Sequence, residues 1–273
     1  MKILFFGDVF GRPGREVLCE QYDILCKEHN PDFVIANVEN IAHGMGITLT
    51  AIEELGKRGA LFHAFTSGNH HFANQGVYDV ISHPAIPLVR PLNYQDAAGV
   101  GARVVESGAR RLLVVNVMGR IFMKDTSLSN PFLAMNDILQ KYTIDPHEDG
   151  KERVDGIFVD IHAETTAEKR AMGFHLDGRV SAVVGTHTHV PTRDEQILRG
   201  GTAYISDVGM VGPFHSSLGL DKDSIVEEMV QEQRTKRDVS DESLVEIGAV
   251  LIKVKENGLS DHIQHIRLVV NKS

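Results

Sequence analysis

The chain reads as an α/β fold whose strands end in metal-capable side chains, and three observations predict it. Apolar runs of strand length alternate with segments of helical periodicity. Carboxylates, amides or imidazoles directly follow five of those runs. One of these ends is Gly185-Thr186-His187-Thr188-His189-Val190, after the apolar run Ser181-Ala182-Val183-Val184, and it carries two imidazoles. In extended backbone, side chains two apart point to the same side, with Cα atoms roughly 6.5 Å apart. Such a pair can hold one ion, or one ion each of a close pair.

Taken in order, residues 2–6 form a first strand ending in Gly7-Asp8. The turn Gly11-Arg12-Pro13-Gly14 leads into a helix over about residues 15–29, with Val17, Leu18, Ile24 and Leu25 as its apolar face. Asn30-Pro31-Asp32 ends it. A second strand, residues 33–38, ends in Glu39-Asn40. Thr50 is the expected N-cap of the next helix, with Glu53 completing a capping box. Residues 61–65 form a third strand before Ser67-Gly68-Asn69-His70-His71, and a short helix follows near 76–82. Pro84, Pro87 and Pro91 mark irregular chain.

Two strands, 103–106 and 112–117, flank Ser107-Gly108. Pro131 suits the first position of a helix over residues 130–141, and a charged loop spans 145–155. Residues 156–161 form a strand ending in His162, followed by a helix over 165–172. Strands are also expected at 203–205, 244–255 and 262–270, and 227–237 is a helix end or a loop. With neither repeat nor linker, residues 1–273 are expected to form a single domain.

A net charge of −9 argues against a surface built to neutralise many phosphates, so long nucleic acid is not an expected partner. A small anionic substrate stays open, because bound cations reverse the local field. No apolar stretch has the length to cross a bilayer, and the apolar start is too short for a signal peptide. Cys19 and Cys26 lie two helical turns apart, beyond disulfide reach, as expected of reduced thiols in a cytoplasmic protein. A homo-oligomer also stays open.

The metal-capable residues are Asp8, Glu39 with Asn40, Asn69 with His70, His162, and His187 with His189. In open α/β sheets, ligands bind beyond the carboxyl ends of the strands. Each residue alone has an ordinary explanation, such as a turn cap or a hydrogen-bonded core histidine. Together they exceed what one tetrahedral zinc uses and suit two ions sharing a carboxylate. The mixed nitrogen and oxygen set points to iron or manganese, with zinc as the alternative.

In this order the residues resemble the calcineurin-like metallophosphoesterases: Asp8, Gly68-Asn69-His70, His162, then Gly185-Thr186-His187-Thr188-His189. The chain departs from that pattern at Phe10, which replaces a histidine ligand, and at Glu39-Asn40, which replaces a bridging aspartate. Both departures are similar to the bacterial YmdB-like metallophosphoesterases. So are Gly11-Arg12-Pro13-Gly14, Arg90-Pro91-Leu92-Asn93-Tyr94, Asp160-Ile161-His162-Ala163-Glu164 and Ser206-Asp207-Val208-Gly209-Met210.

The resemblance implies helix-flanked β-sheets with a dinuclear centre at the strand ends. It implies that Asp8, Glu39, Asn40 and His189 hold one ion, and that Glu39, Asn69, His162 and His187 hold the other. His70 is then the proton donor in hydrolysis of a small phosphodiester, such as a 2',3'- or 3',5'-cyclic nucleotide. An amidohydrolase is the rival enzyme class, but its His-x-His follows the first strand of a barrel rather than coming late. Two rivals of a different kind stay open: a metal- or nucleotide-sensing regulator without essential turnover, and a phosphomonoesterase. Arg12, Arg15 and Arg193 are candidate phosphate contacts near the predicted mouth.

Overall fold

The computed structural model describes residues 1–124 and 127–272. Its elements run β1 (Lys2–Phe6), β2 (Asp8–Val9), α1 (Gly11–His29), β3 (Phe33–Asn37), α2 (Leu49–Lys57), β4 (Ala64–Thr66) and α3 (Val77–Ser82). They continue with β5 (Ala102–Ser107), β6 (Arg110–Met118), α4 (Pro131–Leu139), β7 (Tyr142–Thr143), β8 (Glu152–Arg153), β9 (Gly156–His162) and α5 (Thr166–Leu176). The rest are β10 (Ala182–Thr186), β11 (Gln196–Ile197), β12 (Ala203–Ile205), β13 (Met210–Pro213), α6 (Lys222–Gln231), β14 (Leu244–Val254) and β15 (Ser260–Asn271).

Two mixed sheets result. The first has the order β2-β13-β14-β1-β3-β4, with β15 also paired to β14; the second has the order β11-β12-β10-β9-β6-β5. Strand periodicity explains how they stack, because successive side chains leave opposite faces. In β1, Ile3 and Phe5 join a buried cluster with Phe158, Ala182 and Val184 of the second sheet. Leu4 and Phe6 instead pack with Val17, Leu18 and Leu25 of α1 and with Ile52 and Leu55 of α2. Likewise Ile157, Val159, Ile161 and Val183 face Met135 and Leu139 of α4 and Met172 and Leu176 of α5. The layers are therefore helix, sheet, sheet, helix. Phe5 and Phe158 meet across the middle at 5.0 Å, a contact worth about 0.5–1.5 kcal/mol beyond area burial.

Several boundaries differ from expectation, each for a local reason. Helix α1 begins at Gly11 rather than Arg15, because Pro13 fits the first turn, where a missing N–H costs nothing. Ile24 is 55% exposed, and Tyr22 takes its expected place on the buried face. Thr48, not Thr50, caps α2, its hydroxyl accepting from the Ala51 amide. The third strand shifts to Ala64–Thr66, leaving Leu61 70% exposed. Helix α5 runs on to Leu176, and the charged segment holds the short strand β8, paired to β7.

Strands β1, β3 and β4 are mutually parallel, as are β6, β9, β10 and β12. The carboxyl ends of the two groups converge through buried bonds between the sheets. Asn37 Nδ2 donates to Asp160 Oδ2 at 2.9 Å, and the His187 amide donates to Asp8 Oδ2 at 3.2 Å.

Candidate metal centre

At that convergence lie two overlapping groups of side chains, Glu39 with His162 and His187, and Asp8 with Glu39 and His189. Within each group the potential ligand atoms all lie within 4.8 Å of one another. Glu39 belongs to both. Asp8, Glu39 and His162 are almost wholly buried, so three titratable groups have been withdrawn from water together. Such burial is costly unless charges are paired or bound to a metal.

Hydrogen bonds assign the imidazole faces. His162 Nδ1 donates to Thr186 Oγ1 at 2.9 Å, and that hydroxyl donates to Asp160 Oδ1 at 2.7 Å. Nε2 of His162 is left facing Asn69 Oδ1 at 2.9 Å, Glu39 Oε2 at 3.2 Å and His187 Nδ1 at 3.0 Å. His187 Nε2 is held by Glu164 Oε2 at 2.9 Å, which turns Nδ1 inward. His189 Nδ1 donates to the Leu218 carbonyl at 3.0 Å and turns Nε2 inward. Each ring thus presents one nitrogen to the centre and fixes the other outside it, the arrangement usual for metal-ligating histidines.

The residues fit a cation on two further counts. Asp8 Oδ1 is buried without a hydrogen-bond partner. Gly68 borders the same space, and a Cβ there would collide with Glu39 Oε2 and His162 Nε2. Gly68→Ala is therefore expected to fold yet bind metal at least about tenfold more weakly, as measured by metal content after dialysis.

Charges respond in matching directions. Burial opposes ionisation of Glu39, yet His162 and His70 hold its carboxyl well below the usual range. Burial disfavours charge on His162 too, but Glu39, Asp8 and Asp160 outweigh it and hold the imidazole up at about 9. Burial, and then His162, push His187 down to about 3. Burial raises Asp8 and brings Asp160 up to about 6.

Without an ion, a proton on His162 supplies the compensating charge. Because its folded pKa lies above the ordinary 6.5, that stabilisation is fully present below pH 6.5 and is lost as pH rises through about 9. Metal-free protein is therefore expected to lose melting temperature over this window. Calorimetry at pH 7.5 in buffers of differing ionisation enthalpy should show metal uptake releasing about one proton.

Asn40 and His70 are bonded to each other beside the cluster. Asn40 Nδ2 donates to Glu39 Oε1 and His189 Nε2, both at 3.0 Å, while its Oδ1 faces His70 Nδ1 at 2.8 Å. As oriented, the amide nitrogen faces the cluster, so Asn40 offers an oxygen only with its amide turned over. His70 is anchored by its own amide, which donates to Glu39 Oε2 at 3.1 Å, and its ring is partly exposed. His71 is a buried partner of Ser67 Oγ, kept neutral by burial, which lowers it to about 4.

The structure thus gathers Asp8, Glu39, Asn40, Asn69, His70, His162, His187 and His189. It revises one premise about the histidine pair. Strand β10 ends at Thr186, and His187 and His189 have φ of 101° and 63°, so the two rings face the cluster from left-handed backbone and not from a strand. Arg12 pairs with Glu16 one turn along α1, and Arg15 binds Glu54 and the Ile41 carbonyl. Phe10 packs its ring edge-on against His189 at 5.5 Å, filling the position of the missing ligand.

Sequence reasoning passed over Asp160, Thr186 and Glu164, which orient the histidines. The signal was present in Asp160, a carboxylate inside the apolar run Gly156-Ile157-Phe158-Val159-Asp160-Ile161.

Comparisons with known proteins agree with this geometry. The chain is 42% identical to a 2',3'-cyclic-nucleotide 2'-phosphodiesterase of Bacillus subtilis over 228 residues, 83% of this chain and 81% of that protein. The crystal structure of a phosphatase from Mycoplasma pneumoniae superposes with a TM-score of 0.88 at 31% identity, covering 100% of this chain and 94% of that one. A Thermus thermophilus protein described as hypothetical superposes with a TM-score of 0.87 at 34% identity, covering 98% and 99% of the two chains. The fold is that of the calcineurin-like metallophosphoesterases. The family model for YmdB-like proteins matches residues 4–266, and the chain belongs to the YmdB-like family.

Proposed function

We propose that this chain is a dinuclear metal-dependent phosphodiesterase acting on small phosphodiesters, with 2',3'-cyclic nucleotides as its main substrate class. The observation that carries this reading is Glu39, a buried carboxylate common to both ligand-capable groups. The name of the Bacillus subtilis relative supports the substrate class. Asp8, Glu39, Asn40 and His189 would hold one ion, and Glu39, Asn69, His162 and His187 the other. Iron or manganese suits this mixed donor set, with zinc as the alternative. Bound there, a pair of cations supplies a nucleophile at neutral pH and stabilises charge developing on the phosphoryl oxygens.

The protein's own part is to place and protonate. Thr186, Glu164 and the Leu218 carbonyl keep the three rings turned inward. His70, held at the rim by Glu39 and Asn40, keeps Nε2 directed away from those bonds, where it can protonate the departing alkoxide. Both cysteines are free thiols, which supports a reducing, cytoplasmic setting. No helix among the described residues is long and apolar enough to cross a membrane.

The test is an assay of protein loaded separately with iron, manganese and zinc, with metal content measured alongside. Substrates should include 2',3'- and 3',5'-cyclic nucleotides, an aryl phosphodiester and a phosphomonoester. Turnover of the 2',3'-cyclic substrate should track bound metal. Protein carrying two ions per chain but idle on every diester would sink the reading in favour of a sensor, and preference for the monoester would make it a phosphatase.

A further inference from the structure

We propose that Lys169 and Asp207 are positioning residues, a buried ion pair that acts through Thr188 to hold the His187-Thr188-His189 turn in its left-handed shape. The inference deepens the metal-centre reading and rests on it. Lys169 Nζ lies 2.6 Å from Asp207 Oδ2, and both side chains are essentially without solvent exposure. The same Oδ2 accepts from the Thr188 amide at 3.1 Å and the Thr188 hydroxyl at 2.8 Å. Asp207 Oδ1 accepts from the Gly209 amide at 2.9 Å, so the carboxylate has its acceptor capacity engaged on both oxygens.

The need for such a brace lies in the backbone. Non-glycine residues in sparsely populated conformations are costly and persist only where the surroundings over-determine them. Two such residues, His187 and His189, flank Thr188, and from that shape their rings face the centre. Thr188 itself belongs to neither ligand-capable group; both its donors are spent on Asp207.

Stability alone is a weak reason for the pair. Replacing a buried ion pair by apolar residues of similar volume is often neutral or stabilising. The fold nevertheless makes room for it. A Cβ on Gly185 would press on the Lys169 stem and strike the Ser206 carbonyl, so the glycine before the turn lets the lysine pass behind it. Lys169 also sits on the face of α5 that carries the buried Met172 and Leu176, where an apolar residue would be ordinary. Its neighbour Glu168 accepts from the amides of Arg120 and Ile121, fixing the loop that leaves β6 beside His162. The first turns of α5 thus support both loops that border the histidines.

The test replaces the pair together, Lys169→Met with Asp207→Leu, so that no lone charge is buried. Two measurements are made on the full chain: Mn2+ affinity, and hydrogen exchange of residues 187–190 in metal-free protein. We expect a folded variant whose Mn2+ dissociation constant rises about 10–100-fold, the loss typical of outer-shell partners, and whose turn exchanges faster. A folded variant with wild-type affinity and wild-type exchange overturns the proposal. Should the double variant fail to fold, Thr188→Val and Thr188→Ser decide. The brace requires weaker Mn2+ binding in the valine variant and recovery in the serine one, and unchanged binding in the valine variant refutes it. If wild-type protein binds no Mn2+, the metal reading falls by itself, and the exchange comparison alone judges the brace.

Discussion

Protein purified with Glu39→Ala should carry almost no metal. Glu39 is the one residue common to both ligand-capable groups, so its removal takes an oxygen from each. It also leaves His162 without its principal counter-charge. The expected loss of metal affinity exceeds the roughly 10–100-fold that follows removal of an outer-shell partner, and turnover should fall with it. Metal analysis beside a melting curve is the check, because the variant should still fold. Glu39→Gln keeps the shape and removes the charge, and it should lie between alanine and wild type. A Glu39→Ala protein retaining both ions would remove the basis for a bridged pair.

His70→Ala has the opposite profile: metal is kept and turnover is lost. The ring touches Glu39 and Asn40 but belongs to neither ligand-capable group. Loss of a positioned general acid usually costs about 10²–10⁴-fold in rate. A diester with a good leaving group, which needs no proton, should be spared most of that loss. His70→Gln retains a donor toward Asn40 without the titrating ring and should behave like alanine in rate. Equal losses on activated and unactivated diesters would assign His70 a role other than acid.

Much of this site could be read from the chain because the ligands interrupt apolar runs. Asp8, Glu39, Asn69, His162 and His187 each follow residues whose burial is dictated by hydrophobicity, so the polar break marks a strand end. The layers could be read for the same reason: Ile3 and Phe5 alternate with Leu4 and Phe6. What could not be read depends on distant partners. Thr48 and Thr50 are equivalent caps until α2 docks. Ile24 and Tyr22 lie on opposite flanks of α1, and only docking decides that the tyrosine turns inward and the isoleucine outward. The left-handed turn at His187 has no firm local signature, since positive φ is uncommon for any non-glycine residue, histidine included; Asp207 and Lys169, on neighbouring elements, sustain it. Lys169 was nonetheless conspicuous, a charge three and seven residues before Met172 and Leu176 on an apolar stripe.

The order of strands in the first sheet has a consequence for biogenesis. Among the described residues, strand β2, which contains Asp8, is paired only to β13, and β13 reaches the rest of that sheet through β14. Lys2 of β1 is in turn registered against Lys253. Asp8 therefore waits, without a strand partner, until the segments that form β13 and β14 have been made. Until then His162 and Glu39 can exist, but the cup is missing a wall. Ion capture should accordingly follow synthesis of β14, and protein made in metal-starved cells should take up its ions once metal is restored.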